Sequence, residues 1–270
     1  MEKKGKSRWR FLAAGLLILL VVSPAARGAA RLLLMPQQLS DFMVKTPLGE
    51  GETLIIGFLG GWEKWNDSGR GVRKFALRLR GMNLPGVHVE TVENRRRDVA
   101  LELVKRALDS NQDGSLSAEE AGRARIILYG QSFGGAAVNK FSRQLEALGV
   151  PVLLSVQIDS VGVGDGEVPA NVRRAVNFYQ KNDHFLIRGE DDFRARDPRK
   201  TEIIGNFRYD YRDKKVDLST ARWYQKLFRN AHVKMEHDPE LWAQIEALVL
   251  EELRRGQEER RPQDSGRGSM

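Results

Sequence analysis

The stretch Ile126-Ile127-Leu128-Tyr129-Gly130-Gln131-Ser132-Phe133-Gly134-Gly135-Ala136-Ala137 decides how the rest of the chain is read. It starts as a short apolar run with two β-branched residues, the composition of a buried parallel strand. The run breaks at Gly130-Gln131-Ser132-Phe133-Gly134, and a helical period follows. Ala137, Phe141, Leu145 and Leu148 share one face of that helix, and Gly149 stops it before Val150-Pro151. Strand, tight turn and helix around G-x-S-x-G form the setting of a nucleophile elbow. There, glycines let strand and helix approach closely, and the serine hydroxyl stands above the sheet edge beside a helix N-terminus. A glycine-rich turn whose serine only caps the helix shares the five-residue pattern; the strand and helix on its flanks favour the elbow.

Outward from this stretch, strands and helices alternate. Thr53 to Phe58 reads as a buried strand running into the turn Leu59-Gly60-Gly61-Trp62. A helix follows Ser68, with Val72, Phe75, Ala76 and Leu79 facing inward and Arg70, Arg73, Lys74, Arg78 and Arg80 expected mostly in solvent. Val87 to Val92 is a strand in which His88 is an ordinary strand residue, and Asp98 opens a helix carrying Val99, Leu103, Ala107 and Leu108 on one face. Beyond the elbow, Val152 to Ile158 ends in Asp159, and Ala175 to Tyr179 ends near Asp183. A last helix is marked by Asp238 as cap, Pro239 at its first position, and Leu241, Ile245, Leu248 and Val249 facing inward. The expected fold class is α/β, a mainly parallel sheet with helices on both faces. One domain over residues 31–255 is expected, with Arg31–Met35 either an edge strand or the tail of a leader. Residues 193–215, rich in Arg, Asp and Tyr, read equally as a cap over the site or a surface excursion. The polar residues 256–270 read as a disordered tail.

The chain has 270 residues and no cysteine, which excludes disulfides, thiol catalysis and Cys-ligated zinc. The formal charge is +8, but residues 1–30 carry six basic side chains against one acidic, so the basic excess is largely terminal. It is not a nucleic-acid footprint. Basic residues up to Arg10, the apolar run Phe11 to Val22 and the small residues of Ser23 to Ala30 describe a secretory signal peptide over residues 1–30. The run is short for a spanning helix, which needs about 20 apolar residues. The expected location is secreted or periplasmic, the alternative being an uncleaved N-terminal membrane anchor.

The elbow, the glycine-rich turn after an earlier strand, and a late histidine together resemble the α/β-hydrolase superfamily, in particular bacterial serine esterase- and lipase-like members. The resemblance covers roughly Thr53 to Leu253. It implies a serine nucleophile, a histidine base and an acid, in the chain order Ser, acid, His. Ser132 is then the nucleophile. His232 and His237 both lie just before the last helix and are the candidate bases, with His232 preferred and His237 taken as an exposed neighbour of the cap. His184, beside Asp183, lies too early for that junction. For the acid, Asp159 is preferred, Asp183 is the alternative and Asp217 a third choice. No clean last strand is visible between Asp217 and His232. The oxyanion donors are expected to be the backbone N–H groups of Phe133 and of Leu59 in the Leu59-Gly60-Gly61 turn, with the second assignment open by one or two residues.

A second constellation, Asp109 to Glu120, fits the D-x-[DN]-x-[DN]-G-x5-E loop of an EF-hand at every specified position. Asp109, Asn111, Asp113, the Ser115 carbonyl and Glu120 would ligate Ca2+, with Gly114 at the sharp turn. The expected ion is structural, because the loop leads directly into the elbow strand; the bland alternative is an acidic loop that caps a helix. Two functions follow. The first is an exported serine hydrolase cleaving carboxylic esters or thioesters, its partner a small-molecule or lipid ester. The second is a calcium-stabilised, non-catalytic binding module on the same fold.

Overall fold

The structure is a computed structural model that describes residues 36–183, 189–223, 225 and 230–258. The signal-peptide reading, the strand or leader tail at Arg31–Met35, His184, and the tail from 259 onward lie outside the described residues. The strands are β1 (Thr53–Leu59), β2 (Val87–Glu93), β3 (Ile126–Gln131), β4 (Val152–Ile158), β5 (Glu167–Val168), β6 (Val172–Gln180), β7 (Arg194–Ala195) and β8 (Glu202–Tyr209). The helices are α1 (Gly71–Gly81), α2 (Arg97–Leu108), α3 (Ala118–Gly122), α4 (Phe133–Glu146), α5 (Ala231–Glu236) and α6 (Pro239–Glu258). Six strands form one sheet in the order β2-β1-β3-β4-β6-β8, every pair parallel. β5 and β7 pair separately.

Each central strand feeds two cores. Leu54, Ile56 and Phe58 of β1 and Ile126 and Leu128 of β3 pack towards α2 and α4. Ile55 and Leu59 of β1 and Ile127 and Tyr129 of β3 pack towards α1 and α6. Successive residues of a strand point to opposite faces, so a sheet covered on both sides needs apolar residues at every position. That is why β1 and β3 show as unbroken apolar runs. Each fully buried Leu, Ile or Phe adds about 1.5–3 kcal/mol.

Three expectations are corrected. Arg70 and Arg73 of the α1 region are buried rather than solvated. Arg73 donates to Thr91 Oγ1 at 2.8 Å and lies 5.4 Å from the ring of Trp65, so its charge is used inside the fold. Residues 193–215 are not a cap, because they contain β7 and the edge strand β8. β8 is half-exposed along its length, so polar residues interrupt its pattern, and Phe207 stacks on Phe178 at 5.4 Å between centroids. This also accounts for the missing strand before His232, since the sixth strand of the sheet ends at Tyr209. Finally, Gly256 to Glu258 extend α6 instead of opening a disordered tail. Among the described residues, no helix is long and apolar enough to cross a membrane.

Strand order reverses between β1 and β3: the chain moves outward to β2, then returns past β1 and continues to β4, β6 and β8. The crevice beyond the carboxyl ends of strands at such a reversal is where ligands bind in open α/β sheets.

Candidate active site

Ser132 sits at that reversal. It joins β3 to α4 with φ 57° and ψ −128°, a backbone region that non-glycine residues rarely occupy. Such a conformation costs about 1–3 kcal/mol and persists only where its surroundings enforce it. The surroundings are close backbone packing. A Cβ at Gly130 would stand 2.4 Å from the carbonyl oxygen of Gly134, and one at Gly134 would stand 2.0 Å from that of Phe58. Both flanking glycines are therefore required by contact between β3, α4 and β1. The Ser132 N–H donates to the Ile158 carbonyl at 2.9 Å, and its own carbonyl accepts from Gly135 and Val161.

Asp159 follows β4 immediately, is fully buried, and also has a left-handed φ of 44°. Its carboxylate accepts from the Gln180 N–H at 3.2 Å and from Gln180 Nε2 at 3.0 Å. The ring of His232 meets the same carboxylate, with Nδ1 2.6 Å from Asp159 Oδ2. An ionised carboxylate only accepts, so Nδ1 carries the proton and Nε2 is left as the basic nitrogen. Burial opposes the imidazolium, but the hydrogen bond and charge of Asp159, with the charges of Glu236 and Asp183, outweigh it. They raise the His232 pKa above the ordinary histidine value.

Asp183, the alternative acid, meets the backbone of His232 and not its ring. Its two carboxylate oxygens accept the N–H groups of Ala231 at 3.0 Å and His232 at 2.7 Å, the first N–H groups of α5. The Asn230 side chain accepts the next one, from Val233, at 2.9 Å. Asp217 accepts from Ser219 in a local turn. His237, expected at the surface, has a side chain only 2% exposed. It closes α5 as its C-cap, and burial lowers its pKa below the usual histidine value.

Ser132 and His232 line one cleft of about 580 Å3, together with Gly61, Trp62 and Glu63 from the turn after β1. Phe133 is the first residue of α4, and N–H groups in the first turn of a helix have no intrahelical acceptor. Leu59 closes β1 with its side chain fully buried. The backbone of that turn packed against the serine is Gly60, where an added Cβ would be 3.2 Å from Ser132 Cβ. The Gly60 N–H donates to Glu63 Oε2 at 3.0 Å.

The loop from Asp109 to Glu120 is satisfied by its own hydrogen bonds. Asp109 accepts from the N–H groups of Asp113 and Gly114, and Asp113 accepts from Ser115. Asn111 turns its amide N–H group towards Asp113 Oδ2, at 2.9 Å. Glu120 Oε1 accepts from the N–H and hydroxyl of Ser110, and Oε2 from those of Ser117. These donors hold the Glu120 carboxyl well below the usual range, at about 2. Among the described residues no group of three His, Cys, Asp or Glu side chains could hold a metal.

One residue beside the site, Gln180, carried no signal in the sequence. Nothing in Gln180-Lys181-Asn182 marks Gln180 as the partner of Asp159, because that role depends on β6 lying beside β4. Glu236 was legible in principle: it stands one helical turn after His232, a spacing that puts both on one face.

No family model matches the chain, and no curated protein matches it. Among solved structures, a cutinase-like protein from Cryptococcus sp. superposes with a TM-score of 0.41 at 15% sequence identity, over 75% of this chain and 95% of that one.

Proposed function

We propose that the protein is a serine hydrolase acting on carboxylic esters or thioesters, with Ser132 as nucleophile, His232 as base and Asp159 as the acid that orients it. The observation that carries this reading is the pairing of His232 Nδ1 with the buried Asp159 carboxylate, in the cleft that a conformationally strained Ser132 also lines. Ser132 Oγ would attack the acyl carbonyl while His232 Nε2 takes its proton. The tetrahedral intermediate would then collapse, His232 would return the proton to the departing alcohol or thiol, and water would release the acyl group by the same steps. The Phe133 N–H and a backbone N–H of the turn after β1 would receive the developing oxyanion. A fluorophosphonate probe tests the proposal: labelling of the wild-type chain and none of Ser132→Ala is expected, and an unlabelled wild type would reject it.

The sequence also supports export through residues 1–30 and a structural calcium ion at the Asp109–Glu120 loop. The calcium proposal rests on the ligand pattern alone, and the ion would have to displace the serine donors now bound to Glu120. Melting curves with calcium and with chelator test it.

A further inference from the structure

The cleft contains a buried cation that neither the elbow nor the Asp159–His232 pair uses. Arg70 precedes α1 and is 7% exposed. Its Nη1 lies 3.1 Å from Glu63 Oε1 and 3.5 Å from Glu236 Oε2, and its Nε lies 3.6 Å from Asp67 Oδ2. The two carboxylates at Nη1 belong to the two halves of the candidate site. Glu63 is in the turn after β1, where it accepts the N–H of Gly60, the residue packed on Ser132. Glu236 ends α5, the helix that carries His232, and also accepts from the Gly71 N–H and Gln225 Nε2.

We propose that Arg70 is a positioning residue, a buried crosslink that sets the turn beside Ser132 against the helix bearing His232. The proposal rests on the reading of Ser132 and His232 as nucleophile and base. Two carboxylates converging on one buried point would repel each other, and a lone buried charge is costly, so a guanidinium with several N–H donors between them fixes their separation. Asp67 shares Arg70 with them and is itself bound by Arg222 at 2.6 Å. The crosslink is linked to protons. Burial and the charge of Glu236 raise the Glu63 pKa to about 7, although Arg70 pulls the other way. The groups facing Glu63 are thus Arg70, Asp67 and Glu236, with His232 one turn behind Glu236 on α5. Above neutrality Glu63 is ionised and held by Arg70; below it the pairing with Arg70 weakens.

The test is steady-state hydrolysis of a short-chain p-nitrophenyl ester by the full chain, from pH 5 to 9, with rates expressed per serine titrated by the fluorophosphonate. Arg70→Met should lower kcat per titrated serine at least tenfold and change the pH profile, and Arg70→Lys should restore part of the rate. A merely structural role would reduce the number of titratable serines and leave the rate per serine and the profile alone; that result overturns the proposal. If Arg70→Met does not fold, Glu63→Gln decides. The glutamine carbonyl can still accept the Gly60 N–H but carries no charge for Arg70, so the ionisation near 7 should vanish from the profile and kcat should fall severalfold. An unchanged profile and rate in that variant overturns the proposal. A wild-type chain that neither turns over esters nor takes the probe overturns the hydrolase reading and this inference together, whereas failure confined to the Arg70 and Glu63 variants overturns this inference alone.

Discussion

Asp183 holds His232 by its backbone N–H at 2.7 Å, while Asp159 holds the same residue by its ring at 2.6 Å. The preferred acid of the sequence and its alternative therefore meet His232 at different groups, and their substitutions should separate. Asp159→Asn places an amide where Nδ1 needs an acceptor and should lower kcat on the order of 10^4-fold with the fold intact. Asp183→Ala removes the acceptor for the first two N–H groups of α5 and should cost about 1 kcal/mol of stability, with less than a tenfold loss of kcat. Ester kinetics and thermal melts on the two variants check this; equal losses of activity would return the acid to the undecided state of the sequence.

The pH dependence follows from the same pair. The His232 pKa is raised above 6.5 by Asp159, Glu236 and Asp183 against the effect of burial. A general base works only when neutral, so the acid limb of kcat/KM should lie above pH 6.5, and rate should be lost as pH falls through it. Asp183→Ala removes one of the charges that raise it and should move that limb to lower pH. A limb at or below 6.5 in the wild type would contradict the assignment.

The backbone at Ser132 can be tested without any substrate. Alanine keeps a Cβ at φ 57°, whereas glycine occupies such angles without steric cost. Ser132→Gly should therefore melt higher than Ser132→Ala, by an amount equivalent to about 1 kcal/mol. Gly134→Ala, whose Cβ would meet the Phe58 carbonyl at 2.0 Å, should fail to give folded protein. Equal melting of the two Ser132 variants would mean that the turn relaxes in solution.

The loop before β3 gives a fourth prediction. Glu120 has its pKa lowered to about 2 by Ser117 and Ser110, against 4.5 in an unfolded chain. A depressed carboxylate contributes stability above its unfolded pKa and loses it as pH falls through the folded one. Glu120→Gln should therefore melt lower than wild type at pH 7, and the two should converge as pH falls from about 4.5 towards 2. If calcium binds, its addition should raise the wild-type Tm and not that of Glu120→Gln; equal curves with calcium and chelator would leave Glu120 as a helix cap alone.

The central strands were legible because burial on both faces writes itself as an unbroken apolar run, as in Ile126 to Tyr129. The strand, tight turn and helix around Ser132 were legible because packing at Gly130 and Gly134 admits no side chain, a constraint visible in five residues. β8 was not, because an edge strand half in solvent has no such run. By its position beside α1, Arg70 suits a surface cation; its burial depends on Glu236, which comes from a distant part of the chain. Asp159 was preferred over Asp183 for its place at the end of β4, but that one meets the ring of His232 and the other its backbone depends on how α5 lies against β4 and β6, which no local pattern encodes.

Strand order gives the molecule an assembly schedule. The turn after β1, the serine after β3, the aspartate after β4 and the histidine on α5 meet only when strands far apart in the chain have paired in register. Contacts of that kind form late, since loop closure has to precede them. If Ser132 is the nucleophile, the amount of reactive serine during refolding should lag behind the recovery of helical signal, and the candidate site should act as a clock for completion of the sheet.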